Sequence, residues 1–323
     1  MRRRDFLALG AASVFAGAAR AETYPDHAIR LIVPWAPGGV NDAAGRPWAE
    51  KVRSLLGAVI IDNIAGAGSI VGTTAAARAA PDGYTLLLGG GATHIINPIA
   101  STRPIYDPVK DFDPIAILSI SGVAMAVHPS LGVNTLRELI DLAKARPGAL
   151  SYASPGVGSA AHLGGEMFKS LAGVRDIVHV PYRGGGPALA DLVAGQIKIA
   201  ALNVTGEIIA LQKSGHIKLL SVSTPKRIAA APDIPTGEEA GLPGYIALNF
   251  AGVFAPAHTP RAAIEKVASA TREAMADNDY LAILAASGFE PSTDTNPEAA
   301  VRFVAGEIAR WRPIIKEIGF KLE

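Results

Sequence analysis

Ile29-Arg30-Leu31-Ile32-Val33 reads into Pro34-Trp35-Ala36-Pro37-Gly38-Gly39-Val40-Asn41-Asp42, and a helical pattern follows from Ala43 to Leu56. The first five residues are a β-branched, apolar run that predicts a buried strand. The turn carries two adjacent glycines, which let the backbone approach another group closely. A turn of this kind, leaving a strand and opening a helix, presents free backbone amides and the positive end of the helix dipole, a combination that favours an anion. Strand, glycine turn and helix are the elementary step of an α/β fold.

The step repeats outward from this unit. The sequence predicts strands at Ala58 to Asp62 and Tyr84 to Leu88, with a helix from Ile70 to Ala79 between them and Pro81-Asp82-Gly83 as the turn. Asp113-Pro114 and His128-Pro129 bracket two strands, Ile115 to Leu118 and Val123 to Val127. Thr135 followed by Glu138 predicts a capping box for a helix to Ala145. From Leu150 a second series begins, with strands at Ser151 to Ala153, Ile177 to Val180, Ile197 to Leu202 and Leu219 to Val222. Its helices are expected at Ala161 to Ala172, Pro187 to Ala194 and Thr205 to Lys213. A strand from Ala247 to Phe254, a helix from Arg261 to Ala276 and two further helices complete the chain. A chain of 323 residues exceeds the size at which one core stops growing. The expectation is therefore two lobes, each a mostly parallel sheet flanked by helices, with a ligand cleft between them. Lobe 1 takes residues 22–122 and 248–323, and lobe 2 takes residues 123–247, with hinges near Ile120 to Ala124 and Ala247 to Gly252.

The N-terminus reads as an export signal over residues 1–21. Arg2, Arg3 and Arg4 precede an apolar run from Phe6 to Ala19, and Ala19-Arg20-Ala21 supplies a small-residue cleavage pattern. Arg3-Arg4-Asp5-Phe6-Leu7 has the twin-arginine form, which points to export of an already folded protein into the periplasm. The apolar run is shorter than the ~20 residues a bilayer span requires, so membrane insertion is not expected. No cysteine is present, which excludes disulfides and a lipid-modified cysteine. Losing four arginines and one aspartate with the signal moves the formal charge from +1 to −2. A near-neutral chain without a basic stripe lacks the electrostatic footprint of a nucleic-acid binder.

Five loops at predicted strand ends concentrate glycine, serine and asparagine: residues 34–42, 66–69, 89–94, 154–159 and 182–187. In open α/β sheets ligands bind beyond the carboxyl ends of strands. One such loop alone is usually only a tight turn, but five, three in the first lobe and two in the second, suit a cleft between lobes. They carry neither G-K-[ST] nor a G-x-G-x-x-G opening a helix, so carboxylate is favoured over phosphate.

Ordered blocks along the whole mature chain resemble the tripartite tricarboxylate transporter substrate-binding proteins, the Bug receptors. They include Pro37-Gly38-Gly39 with Asp42, Ala80-Pro81-Asp82-Gly83-Tyr84-Thr85-Leu86-Leu87, Tyr106-Asp107-Pro108-Val109-Lys110-Asp111-Phe112, Val178-His179-Val180-Pro181-Tyr182 and Glu239-Ala240-Gly241-Leu242-Pro243-Gly244-Tyr245. The resemblance implies a two-lobed periplasmic binding protein fold of type II. It also implies a small organic acid as ligand, held by backbone amides and bridging waters. Carried over residue by residue, it places Trp35, Pro37, Gly38, Gly39, Asn41 and Asp42 at a ligand carboxylate, and Gly90, Gly91 and Thr93 as the adjacent wall. Ser154, Gly158, Ser159, His162, Arg183 and Asn203 are expected to close from the second lobe. Asp42 is expected to cap its helix and order the loop, with a pure capping role as the competing reading. Trp35 is read either as packing on the ligand body or as core, and Arg183 either as a carboxylate clamp or as a structural ion-pair partner. Many relatives carry an acid where Leu202 stands, and its absence argues against an amino-acid ligand.

Ser159 and His162, three residues apart on one helix, raise a hydrolase as the competing class. No G-x-S-x-G elbow accompanies them, and a serine at a helix start usually caps it. The expectation is a binding protein and not an enzyme, with no cofactor. The seven histidines are scattered without an H-E-x-x-H pair, so no metal site is expected. A monomer is expected, serving membrane transporter subunits or a sensor protein.

Overall fold

The computed structural model describes residues 24–322, so the export signal expected over residues 1–21 lies outside the described residues. The chain opens with β1 (Ile29–Val33), α1 (Val40–Lys51), α2 (Arg53–Leu56), β2 (Val59–Asn63), α3 (Ile70–Ala77), β3 (Thr85–Gly90) and α4 (Asn97–Ala100). The long strand β4 (Phe112–Val127) leads into α5 (Leu136–Ala145), β5 (Ser151–Ser154), α6 (Ala160–Ala172), β6 (Val178–Pro181) and α7 (Gly185–Val193). Next come β7 (Ile199–Asn203), α8 (Gly206–Lys213), β8 (Lys218–Val222) and β9 (Leu248–Pro256). The chain closes with α9 (Arg261–Met275), α10 (Asn278–Ala286), β10 (Glu290–Pro291) and α11 (Pro297–Glu317).

These elements form two α/β halves joined through β4. The first part of β4 pairs with β9 and β10 and completes the order β2-β1-β3-β9-β4, while its last residues pair with β7 and β8 and continue as β7-β5-β6. Parallel pairing is found among β1, β2 and β3 and among β5, β6 and β7. The strands β4 and β9 run antiparallel to their neighbours. Each half-sheet is thus mixed: a strand that enters the second half and one that returns must point in opposite directions.

The sequence predicts two strands where the structure has one. Pro114 lies inside β4, where the register against β9 shifts between Pro114 and Ala116, a bulge that accommodates a residue with no amide to donate. Ser119, Ser121 and Gly122, poor strand formers, are held because the ladder to β9 supplies their partners as far as Gly122 opposite Leu248. At the next residue the pairing switches. Val123 donates to the Ala247 carbonyl at 3.3 Å and Ala247 donates to the Ser223 carbonyl at 3.2 Å, while the Ser223 hydroxyl accepts from the Val123 amide at 2.8 Å.

Three apolar clusters fill the molecule. One lies in the first half around Leu31, Trp48, Val253 and Leu284, and one in the second around Leu192, Leu202, Ile208 and Leu219. The third spans both halves, joining Ile32, Leu87 and Trp311 to Val123, Tyr152 and Phe168. Helix α5 shows how local signals seat an element. It buries Leu136, Leu139, Ile140 and Ala143 along one face, and the Thr135 hydroxyl accepts from the Glu138 amide at 3.1 Å. The Glu138 carboxylate reaches back to the Asn134 amide at 2.7 Å, one residue before the expected box partner. Thr135→Ala is expected to cost about 1 kcal/mol. Chemical denaturation checks this, since an unchanged midpoint would remove the cap from the account of helix stability.

Candidate functional site

The glycine loop after β1 is ordered by Asp42. Gly39, not Asp42, is the N-cap residue of α1, and no side chain caps that helix. Asp42 sits in the first turn, 3% exposed, and its Oδ2 accepts from the Gly38 amide at 2.9 Å. Arg46, one turn on, donates to both carboxylate oxygens at 2.8 and 2.9 Å, and Asn63 Nδ2 donates to Oδ1 at 3.1 Å. Burial pushes this carboxyl up, but Arg46, the Gly38 amide and Asn63 together hold it below the usual carboxylate range. Asp42 therefore fixes the loop from behind while the first amides of α1 stay free. Gly38 has φ +80°, which a side-chain-bearing residue adopts only under strain.

A second set of bonds ties this loop to its neighbours. Asn41 Nδ2 donates to the Gly89 carbonyl at 3.3 Å, Asn249 Nδ2 donates to Asn41 Oδ1 at 3.2 Å, and the Gly91 amide donates to Asn249 Oδ1 at 3.2 Å. Asn249 stands on β9, one residue past the point where β9 meets Gly122. A Cβ at Gly90 would lie 2.5 Å from the Phe250 carbonyl oxygen and 2.9 Å from Asn41 Nδ2, so three segments close on a position with no side chain. Beyond Gly90 a π-helical turn covers Ala92–Ile96, where Thr93 Oγ1 accepts from the Gly90 amide at 2.8 Å.

Between the halves lies a cavity of about 240 Å³. The first half lines it with Trp35, Pro37, Gly38, Gly39, Val40 and Asn41, and with Gly90, Ala92 and Thr93. The second half contributes Pro155, Ser159 and Ala160, the run Arg183 to Pro187, and Leu189, Leu202, Asn203, Thr205, Glu207 and Ile208. Trp35 is half-buried and on the cavity wall, not sunk in the core. Four of the five glycine loops meet here. The fifth, residues 66–69, stands apart, and a Cβ at Gly68 would lie 2.6 Å from the Val157 carbonyl oxygen of the opposite half.

Of the residues singled out in the sequence, Trp35, Pro37, Gly38, Gly39, Asn41, Gly90, Thr93, Ser159, Arg183 and Asn203 are brought together on the wall. Asp42, Gly91, Ser154, Gly158 and His162 lie behind it. Gly91 is tied to Asn249, while Ser154 is fully buried with its hydroxyl 2.7 Å from His179 Nε2. The Gly158 amide donates to His162 Nδ1 at 3.3 Å, and the His162 ring stacks on His179 at 3.8 Å with the edge of Phe320 beside it. The Ser159 hydroxyl accepts from the His162 backbone amide at 3.0 Å, so it caps α6. No hydrogen bond joins the Ser159 hydroxyl to the His162 ring, the contact a nucleophile and its base require.

Asn249 and Glu207 were missed. Asn249 is a lone polar residue in an apolar strand, and that interruption is a usable signal; Glu207 in the first turn of α8 has none. Leu202 borders the cavity, and Glu207 puts a carboxylate on the same wall, so the missing acid at Leu202 does not exclude an amine-bearing ligand. Among the described residues Arg183 and Glu207 form no ion pair, and Asn203 Nδ2 is buried without a hydrogen-bond partner. No helix among the described residues is long and apolar enough to cross a membrane.

The fold has counterparts among known proteins. Residues 45–320 match the family model described as the tripartite tricarboxylate transporter family receptor. A UPF0065 protein of Bordetella pertussis is 37% identical over 313 residues, covering 95% of this chain and 94% of its own. The periplasmic binding protein BugD superposes with a TM-score of 0.87 at 31% identity, covering 93% of this chain and 100% of its own. The R. palustris protein Rpa4515, solved with adipate, gives a TM-score of 0.88 at 31% identity, covering 92% of this chain and 99% of its own.

Proposed function

As the chain belongs to the tripartite tricarboxylate transporter family of periplasmic receptors, we propose that it captures a small carboxylate by closing two lobes over it. The observation that carries this reading is one cavity lined from both halves, with the uncapped start of α1 on its wall. A ligand carboxylate takes the free amides of the Gly39 to Asn41 segment, where the helix dipole favours negative charge. The ligand body lies against Trp35, Val40 and Ala92. Ser159, which accepts its cap bond, keeps its hydroxyl hydrogen for the ligand. Residues 22–122 with 248–323 act as one lobe and residues 123–247 as the other, turning about the paired crossing at Val123 and Ala247. Residues 1–21 direct export by the twin-arginine route, and membrane transporter subunits take the ligand from the closed form. The adipate in Rpa4515 supports an organic acid as the cargo.

A thermal-shift screen of the protein beginning at Glu22 tests this reading against mono-, di- and tricarboxylates, amino acids and sugars at about 1 mM. A ligand bound only by the folded state stabilises it by about 4 kcal/mol at a thousandfold excess over Kd. The expected result is a shift with one class of carboxylate and none with its ester or amide. Absence of a shift with every carboxylate, after removal of co-purified ligand, would overturn the proposal.

A further inference from the structure

We infer that the C-terminal segment from Phe320 to Leu322 is a strap of the first half that clasps His162 and the loop 156–158 of the second, outside the cavity, and biases the two halves toward closure. This rests on the reading of the halves as two closing lobes and names a device that holds them together. The strap begins where α11 stops. Gly319, with φ +67°, turns the chain out of the helix; its amide donates to the Lys316 carbonyl at 3.2 Å, and the Phe320 amide donates to the Ile315 carbonyl at 3.2 Å. That pair of bonds is a glycine stop, which fixes the direction of the residues after a helix. Two residues on, the backbone is tied to the first half. The Leu322 amide donates to the Ala100 carbonyl at 2.9 Å, and the Thr102 amide donates to the Leu322 carbonyl at 3.3 Å.

Phe320 and Leu322 both reach the second half, while Lys321 between them is exposed, the alternation of an extended chain. The Phe320 ring meets the His162 ring edge-on at 5.0 Å, and Leu322 Cδ1 lies 3.6 Å from where a Cβ at Gly158 would stand. A second lip of the first half touches the same loop. Asn97, 3% exposed, donates from Nδ2 to the Gly68 carbonyl at 2.7 Å and to Ser69 Oγ at 3.1 Å, and so holds Gly68 against the Val157 carbonyl. Asn97 Oδ1 would lie 2.7 Å from a Cβ at Gly158, so a side chain there has no room between Asn97 and Leu322. Asn97, Val157, Gly158, His162, Phe320 and Leu322 do not line the cavity, whereas Pro155 and Ser159, which flank the clasped loop, do. Phe320 and Leu322 are thus positioning residues that act on the second wall without touching ligand. Opening exposes both side chains to water, so their burial favours the closed form whatever the ligand.

Distances between spin labels at Glu50→Cys and Lys213→Cys, measured by double electron-electron resonance without ligand, test this. Both positions are exposed, one in each half, and the chain has no cysteine of its own. The strap is removed by Phe320→Ala with Leu322→Ala. Gly158→Ala is an independent wedge, because its Cβ would press on Asn97 Oδ1. Gly132→Ala is the control: Gly132 has the same φ of +79° and a Cβ there would meet nothing within 4 Å, so it takes equal backbone strain without a wedge. The parent is expected to show a population at the label separation of this structure. Its ratio to more open forms falls roughly tenfold in the strap and wedge variants, as loss of apolar burial predicts, and is unchanged in Gly132→Ala. A merely structural role for Phe320 and Leu322 lowers the melting temperature without moving the distances. That outcome, or a parent without the closed population, overturns the strap and leaves the receptor reading to the thermal-shift screen. A screen negative for every carboxylate overturns the receptor reading whatever the distances show.

Discussion

Asp42→Ala is expected to weaken carboxylate binding by about thirty- to a thousandfold while lowering folding stability by only about 2 kcal/mol. The first figure follows from what Asp42 holds. Its carboxylate fixes the Gly38 amide, and without it Gly38 and Gly39 must be ordered by the ligand at about 1–2 kcal/mol per residue. The second is modest because Arg46 is half-exposed and returns to solvent when its partner is lost. Asp42→Asn keeps the shape but gives up the charge-assisted bonds to Arg46, and is expected to fall between parent and alanine. Ligand-induced stabilisation measured beside ligand-free denaturation separates the two effects. Equal stabilisation of parent and Asp42→Ala by ligand would show that the carboxylate is only a helix-start residue without consequence for binding.

Acid is expected to destabilise the protein well above the range in which carboxylates titrate. Burial pushes His94 down to about 3, and burial with His179 and Lys169 nearby pushes His162 down to about 3. His94 is fully buried, stacked on Phe254 at 3.7 Å, and its Nε2 has no hydrogen-bond partner among the described residues. Each ring takes up a proton near its ordinary value of 6.5 in the unfolded chain but only near 3 when folded. The unfolded state therefore binds more protons below about pH 6.5, and stability falls as pH drops from there toward 3. The slope is about 1.4 kcal/mol per pH unit for each histidine, or roughly 2 kcal/mol each by pH 5. His179, which burial pushes down to about 4, acts in the same direction. Asp42, held below the usual carboxylate range, loses its contribution only below that range, outside this window. Urea denaturation from pH 7.5 to 5 measures the slope, and His94→Leu is expected to reduce it by about 1.4 kcal/mol per pH unit. A stability that does not change over this range would mean that these rings bind protons equally well when folded.

The alternation of strands, glycine turns and helices was readable because each element carries its own period, and the turns carry residues that only special backbone geometry needs. The crossing strand was not, because Pro114, Ser119, Ser121 and Gly122 lack strand propensity and are ordered by distant partners on β9. At the site, the loops were legible through their glycines. The depth of each residue was not: Ser154, Gly158 and His162 sit beside the wall in sequence, but the cap of α6 and the stacking on His179 turn them behind it. Asn249 reaches the cavity from an apolar strand, where its polarity is a mark that the reading passed over, and Glu207 from a helix start, where a single acid has none. Asp42 was placed at the right loop with the wrong geometry, since a carboxylate at the third helical position reaches back to an amide much as an N-cap reaches forward.

The crossing at Val123 and Ala247 has an evolutionary reading. The chain enters and leaves the second half through residues hydrogen-bonded to one another, and the residues just outside, Gly122 and Leu248, are opposite each other in an antiparallel ladder. That is the geometry of a hairpin whose turn has been replaced by an inserted cassette, because insertions are tolerated where the ends of the inserted unit lie together. An Asn-Gly turn between Gly122 and Leu248 closes the same hairpin without it. The half that bears Arg183, Asn203 and Glu207 is in this sense joined to the half bearing the glycine loop of α1 at two neighbouring points of the chain, where its two ends lie together.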